Sequence, residues 1–317
     1  MKSLNRVVFQ LTKKCNLICP HCFFNAGPNK KEKLTLNQTS KALLDLHSLG
    51  FNKINKFILT GGEPTLWPDL SSLMVNIRGS FPRTKIRIDT NGINFLINPK
   101  LFDLVRADIY DISVDDFHNQ AIVSRELRGK KIFIKEDGSS ELVDLFLKNR
   151  AKYKFELSVR WTSNRQDDHL FNKFFKKYNR KINLEKKPVT ATGRGKNLPQ
   201  VSIDSGYLIK ERPDNFSCLM GDSLILDING SWYGCYHPVG LTKLGKAGDL
   251  QLRQRFDKLT KSYFYKNLPK SGLLDVLDSI KNKHPEHQKA IENILIKKYW
   301  YRCQPCEDLC RAKIFKL

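Results

Sequence analysis

Three cysteines, Cys15, Cys19 and Cys22, follow one another at spacings of four and three residues in a polar loop just after an expected first strand, Val7 to Thr12. No other stretch restricts the chain as tightly. Thiolates at these spacings can wrap one corner of an iron–sulfur cubane, holding three of its irons and leaving the fourth for something other than protein. Zinc is the competing chemistry, because it accepts Cys and His at short spacings and His21 lies between the last two cysteines. Adjacent His21 and Cys22 can hardly reach the same zinc ion, which tilts the reading toward iron and sulfur. Spacing alone leaves both open.

The rest of the N-terminal half alternates in character. Thr35-x-x-Gln38 has the form of a capping box, and Ala42, Leu43, Leu46 and Leu49 follow at helical spacing up to Gly50. Residues 57–60 read as a buried strand running into Gly61-Gly62-Glu63-Pro64. A helix beginning near Pro68 turns Leu70, Leu73, Met74 and Ile77 inward and stops at Gly79. Further strands are expected at 85–89, 108–114, 155–161 and 181–184, and helices at 117–126, 139–150 and 168–178. This alternation implies a parallel sheet with crossover helices, and it stops short of a closed eight-stranded barrel. Ligands in such sheets bind at the C-terminal strand ends. The cysteine loop, Gly61–Glu63, Thr90–Gly92 and Ser113–Asp115 therefore share one rim. Simple caps are the competing roles: Glu63 for the helix near Pro68, Asp115 with Asp116 for the helix from Phe117. His118 is expected at the surface or in a cap.

A chain of 317 residues suits one large α/β domain with an appendage. It holds no apolar run of the ~18 residues that a membrane span needs. Its first residues lead straight into a strand with no signal-like apolar region, which predicts a cytoplasmic location. The eight cysteines fall into two groups, which in a reducing compartment read as metal ligands rather than disulfides. The formal charge is +23, and residues 172–196 hold nine Lys or Arg against the single Glu185. Such a field is either a solvated surface or an attraction for an acidic partner, nucleic acid or peptide. Phe174, Phe175 and Tyr178 within it are spaced like the buried face of a helix, so nucleic acid is not favoured. After a connector at about 188–213, segments 223–228 and 232–236 flank the hairpin turn signal Asn229-Gly230, and helices are expected at 250–261 and 286–299.

Cys15-x3-Cys19-x2-Cys22, Gly61-Gly62-Glu63-Pro64 and Ser113-Val114-Asp115 together resemble the radical S-adenosylmethionine (SAM) superfamily over roughly residues 5–190. The resemblance implies an α/β fold, a partial (β/α)6 TIM-like barrel. It also implies a [4Fe–4S] cluster on Cys15, Cys19 and Cys22 whose open iron chelates SAM. Gly61, Gly62 and Glu63 would meet the SAM amino group, Ser113 and Asp115 the ribose, with Thr90 and Asn91 on the same rim. His21 stands where the family usually has an aromatic residue, on the adenine side. Residues 156–164 depart from the family's glycine-rich fifth-strand motif, so the resemblance assigns no adenine contact there.

Cys218, Gly230 and Cys235 resemble the opening of the SPASM or Twitch extension of that superfamily, and Ala191-Thr192-Gly193-Arg194-Gly195 resembles a short segment found just upstream of it. A full SPASM extension carries more cysteines than the five here. The resemblance therefore implies one auxiliary [4Fe–4S] cluster, held by Cys218, Cys235, Cys303 and Cys306, with Cys310 spare or an alternative ligand. A zinc ribbon helped by His237, His284 or His287 is the competing reading. The expected organisation is a radical SAM core at 1–200 and a small α+β auxiliary domain at 201–317. The implied function is hydrogen abstraction by a 5′-deoxyadenosyl radical from a ribosomally made peptide, giving cross-linking, oxidation or epimerisation. Dehydrogenation of a small molecule and modification of RNA are the alternatives, and a non-enzymatic zinc-binding nucleic-acid module a remote one. Expected partners are SAM, an electron donor such as flavodoxin or ferredoxin, and an acidic precursor peptide.

Overall fold

The structure is a computed structural model that describes residues 2–123, 125–163, 168–188, 193–198, 223–235, 242–297, 304–312 and 314. Strands β1 (Lys2–Thr12), β2 (Phe51–Gly61), β3 (Lys85–Thr90), β4 (Ile109–Ser113), β5 (Glu156–Ser163) and β6 (Asn183–Pro188) pair in sequential order, every pair parallel. Helices α1 (Leu36–Ser48), α2 (Leu70–Ser80), α6 (Glu141–Tyr153) and α7 (His169–Tyr178) alternate with them, with shorter helices α3 (Ile93–Ile97), α4 (Leu101–Leu104) and α5 (Asp116–Gln120). This is the expected partial, unclosed (β/α)6 arrangement.

Local chemistry accounts for the main helices. Thr35 closes a capping box with Gln38 at the start of α1, satisfying two otherwise unpaired N–H groups. In α2, Leu70, Leu73, Met74 and Ile77 are the buried face, as their spacing requires. Ser140 and Asp168 cap α6 and α7 through their side-chain oxygens. The apolar faces meet one continuous core that runs from Val7 and Phe9 through Phe57, Ile88 and Ile112 to Trp161. At its centre Phe95, Phe102, Tyr110, Phe146 and Phe155 form a cluster of rings, mostly edge to face.

The sheet does not end at the barrel. Strand β7 (Ser223–Leu226) pairs parallel with β1 on the edge opposite β2, and β8 (Ser231–Tyr233) and β9 (Lys243–Lys246) continue it antiparallel. The β7–β8 turn has Gly230 at φ +72°, and Asp227 Oδ1 accepts from the N–H groups of Asn229 and Ser231. One sheet of nine strands thus runs from β6 to β9 across the expected boundary at residue 200. Asp45 on α1 fixes the hairpin: its Oδ2 accepts from the buried Trp232 indole at 2.8 Å and from Gly248 N–H at 2.9 Å.

Helices α8 (Leu252–Lys261), α9 (Tyr263–Lys283), α10 (Gln288–Leu295) and α11 (Gln304–Arg311) follow. The last three bury a second core around Leu273, Val276, Leu277, Ile291, Ile294 and Leu309, which includes Cys235. Within α9 the backbone breaks helical geometry at Gly272, φ +79°. No helix among the described residues is long and apolar enough to cross a membrane.

Candidate functional site

The strand ends converge as the rim argument requires. Cys15, Cys19, Cys22, His21, Gly61, Gly62, Thr90, Asn91, Ser113 and His118 line one cavity of about 360 Å³. Cys15 and Cys19 are buried, and none of the three loop cysteines forms a disulfide.

Backbone contacts dictate why glycines stand at 61 and 62. Gly62 N–H donates to Thr12 O at 2.5 Å and Glu63 N–H to Lys14 O at 2.9 Å, clamping the end of β2 to the first residues of the cysteine loop. A Cβ on Gly61 would strike the Thr12 carbonyl, and one on Gly62 the Lys14 carbonyl. The pair therefore serves the protein's own packing as well as any ligand.

Glu63 is fully buried, and burial raises its carboxyl above the usual range. Both oxygens are engaged by protein. Oε1 accepts from Thr65 N–H, Thr65 Oγ1 at 2.6 Å and Thr90 Oγ1 at 2.7 Å, and Oε2 from Asn91 N–H at 2.8 Å. Glu63 caps a short 3₁₀ turn at Pro64–Leu66, upstream of the helix near Pro68 that sequence suggested. Its larger role is to tie the end of β2 to the end of β3. Asn91 in turn donates from Nδ2 to Cys15 Sγ at 3.6 Å and to Asn16 Oδ1 at 2.7 Å.

Asp115 departs from a simple ligand-facing role. It caps α5, its Oδ1 lies 2.6 Å from His118 Nδ1, and its Oδ2 accepts from Thr162 N–H. It does not line the cavity, whereas Ser113 does. Burial pushes the Asp115 carboxyl up, but the charge and hydrogen bond of His118 outweigh it and leave it below the usual range. His118 corrects the surface expectation, being buried and facing this cavity. Burial lowers its pKa, but Asp115 and the Cys19 thiol together hold it well above the ordinary histidine value. A buried imidazole three residues after an N-cap aspartate has no sequence signature that separates it from an exposed one.

His21 sits beside Phe117 and His118, ring centroids 5.0 and 4.9 Å away. Burial, then the charges of His118 and Arg194, bring it down to about 4 despite the nearby Asp115, so it is neutral at neutral pH. Its Nδ1 is buried with no hydrogen-bond partner among the described residues. A neutral ring nitrogen so placed on a cavity wall suits a heteroaromatic ligand edge.

The donor set bears on the choice of metal. A single tetrahedral zinc with Zn–S of about 2.3 Å draws its sulfurs to within about 4 Å of one another. Among the described residues, the one group of three whose ligand atoms all lie within 4.8 Å of one another is His21, Asp115 and His118, and two of these already form an ion pair. The three loop cysteines do not form such a group, so their sulfurs are not gathered as one zinc would gather them.

Charged side chains line the cavity too, Asp89 and Arg160 among them. Arg87 and Arg160 interleave with Asp89 and Asp111 across β3, β4 and β5: Arg87 Nε to Asp89 at 2.6 Å, Arg160 to Asp111 at 2.5 Å and to Asp89 at 3.2 Å, and Arg87 also to Asp111. Alternating polar positions on three separate strands gave no hint of this quartet.

Of the second cysteine group, Cys235 lies buried in the C-terminal helical core and Cys306 on α11, half-buried. Cys218, Cys303 and the side chain of Cys310 lie outside the described residues, as does His237. His284 instead pairs with Glu286.

Residues 9–136 of this unclosed parallel barrel, which hold the three loop cysteines and the Gly-Gly-Glu turn, match the family model described as the radical SAM superfamily. A GTP 3′,8-cyclase of Chlorobaculum tepidum is 30% identical over 125 residues, which cover 39% of this chain and 36% of that protein. The mycofactocin maturase MftC of Mycobacterium ulcerans is 27% identical over 128 residues, 40% of this chain and 33% of that one. The match thus spans about a third of these curated relatives. Among solved structures, anSMEcpe with bound AdoMet and a Cp18Cys peptide superposes at a TM-score of 0.55 and 16% identity, covering 99% of this chain and 96% of that one. That likeness is one of fold.

Proposed function

We propose that this protein is a radical SAM enzyme that holds a [4Fe–4S] cluster on Cys15, Cys19 and Cys22 and binds SAM in the cavity behind it. The observation that carries this reading is the convergence of those cysteines with Gly61, Gly62, Asn91 and His21 on one cavity wall. When bound, the reduced cluster supplies the electron that splits SAM into methionine and a 5′-deoxyadenosyl radical. The chain's own residues prepare the site. The Gly61–Glu63 backbone offers carbonyls to the SAM amino group, and Glu63 fixes that turn from behind. Ser113 takes the ribose and neutral His21 the adenine side. Asn91 donates to Cys15 Sγ, which steadies that thiolate.

The favoured substrate is a ribosomally made peptide with an acidic segment. Lys176, Arg180 and Lys181, exposed on and just beyond α7, belong to a basic face that supports this choice. One auxiliary [4Fe–4S] cluster on Cys218, Cys235, Cys303 and Cys306 would accept the electron left after hydrogen abstraction. An external flavodoxin or ferredoxin would supply the first. Small-molecule dehydrogenation and RNA modification are the rival substrates. RNA binding with a steep salt dependence, and none by acidic peptides, would favour the latter.

Anaerobic reconstitution followed by dithionite and SAM tests the core of the proposal. The wild type should release 5′-deoxyadenosine and hold about eight irons per chain, and Cys15→Ala should release none. A wild type that loads iron fully yet yields no more 5′-deoxyadenosine than Cys15→Ala would defeat it.

A further inference from the structure

The segment after β6 returns to the cysteine loop. Gly193 has φ +56°, and a Cβ there would strike the carbonyl oxygens of Cys22 and Phe23, so only glycine lets this backbone lie so close. Arg194 N–H then donates to Cys22 O at 3.0 Å, its Nε to Cys19 O at 2.8 Å, and its Nη1 to Asn25 Oδ1 at 3.1 Å. Asn25 itself holds φ +51°, a conformation this contact helps to fix. The guanidinium thus grips the loop at its second cysteine and its far end, while the Arg194 backbone N–H holds the third cysteine. The remaining nitrogen, Nη2, is buried and has no hydrogen-bond partner among the described residues. Buried cationic donors are rarely left unpaired, and an anion beside them resolves the cost.

From these contacts we infer that Arg194 is a positioning residue for the cysteine loop and that its charge raises the reduction potential of the cluster held there. The inference rests on the radical SAM reading above. A cluster on three thiolates is anionic and gains one more negative charge on reduction, so a fixed cation at the loop favours the reduced form. The same clamp makes the chain beyond β6 part of the cluster site. Displacing residues 193–198 would release two cysteine carbonyls at once.

The test uses the full chain, reconstituted anaerobically, as wild type, Arg194→Lys and Arg194→Gln. Iron content is measured first. The midpoint potential is then read without SAM by dye-mediated titration followed by electron paramagnetic resonance, the signal that changes on adding SAM identifying the Cys15–Cys22 cluster. The expected order of potentials is wild type, then R194K, then R194Q. At a fixed potential the reduced-to-oxidised ratio in R194Q should fall about tenfold, which for one electron is a shift of ~59 mV. If R194Q does not load iron, the gap between wild type and R194K carries the test. Potentials equal to the wild type's in every variant that loads would overturn the inference, as would a change in SAM affinity alone. A wild type with no SAM-responsive signal would instead strike at the radical SAM reading itself.

Discussion

Asn91 N–H donates to Glu63 Oε2 at 2.8 Å, joining two buried residues 28 positions apart in the chain, the first of them on the cavity wall. The acceptor belongs to the turn after β2, and the donor's own side chain reaches Cys15. One carboxylate therefore links the glycine turn to the cluster loop.

Replacing Glu63 with Ala leaves the N–H groups of Thr65 and Asn91 and two threonine hydroxyls without their acceptor. A stability loss of at least about 3 kcal/mol is expected in urea titration. SAM should bind about tenfold more weakly by calorimetry, while iron content stays at the wild-type level. Unchanged SAM affinity would separate the carboxylate from the ligand altogether.

Two glycines should behave in opposite ways. Gly62→Ala drives a Cβ into the Lys14 carbonyl and should cost about 2–3 kcal/mol with reduced iron loading. Gly79, within α2, has no atom near its would-be Cβ. Gly79→Ala should gain about 0.5–1 kcal/mol by removing backbone freedom from the unfolded chain. Thermal melting with metal analysis reads both.

Asp45 accepts from the indole of Trp232 and from Gly248 N–H, so Asp45→Ala should cost about 2–4 kcal/mol in chemical unfolding. Burial raises its carboxyl above the usual range. The folded state thus keeps that proton to higher pH than the unfolded chain does. This contribution is complete below the ordinary carboxylate value of about 3.9 and declines as pH rises through the raised one. Asp45→Asn should flatten the stability curve in that window; an unaltered slope would rule out Asp45 as its source.

The Arg87–Asp89–Asp111–Arg160 quartet is balanced only as a whole. Asp111→Ala leaves two guanidinium groups short of a partner and should destabilise by about 3–5 kcal/mol in urea. Pairing it with Arg160→Met should recover part of that loss, because the surviving Arg87 keeps Asp89.

Much of the core was legible because periodicity and caps agree with the sheet. The capping box at Thr35, the buried face of α2 and the Asn229-Gly230 turn all stand where their residues indicate. Helix α9 was not legible: Pro269 and Gly272 are helix breakers, and the structure absorbs them with a kink at Gly272. Strand β9, only Lys243–Lys246, is too short for alternation to register. At the site, sequence located the rim residues but not their partners. Nothing local marks Thr90 and Asn91 as the donors that occupy Glu63, or Asp115 as a partner of His118 rather than a wall of the cavity. The Arg194 clamp spans 169 to 175 positions, beyond any periodic signal.

The parallel pairing of Arg6–Phe9 with Ser223–Leu226 has a consequence for how this chain can be divided. A fragment cut near residue 200 would keep all six barrel strands yet bare the flank of β1 that β7 now covers. Val7, Val8 and Phe9 would lie along an unprotected strand border with no charge between them, an adhesive seam for a second molecule. The hairpin thus acts as a selvedge, finishing the cloth where the barrel itself leaves a raw hem.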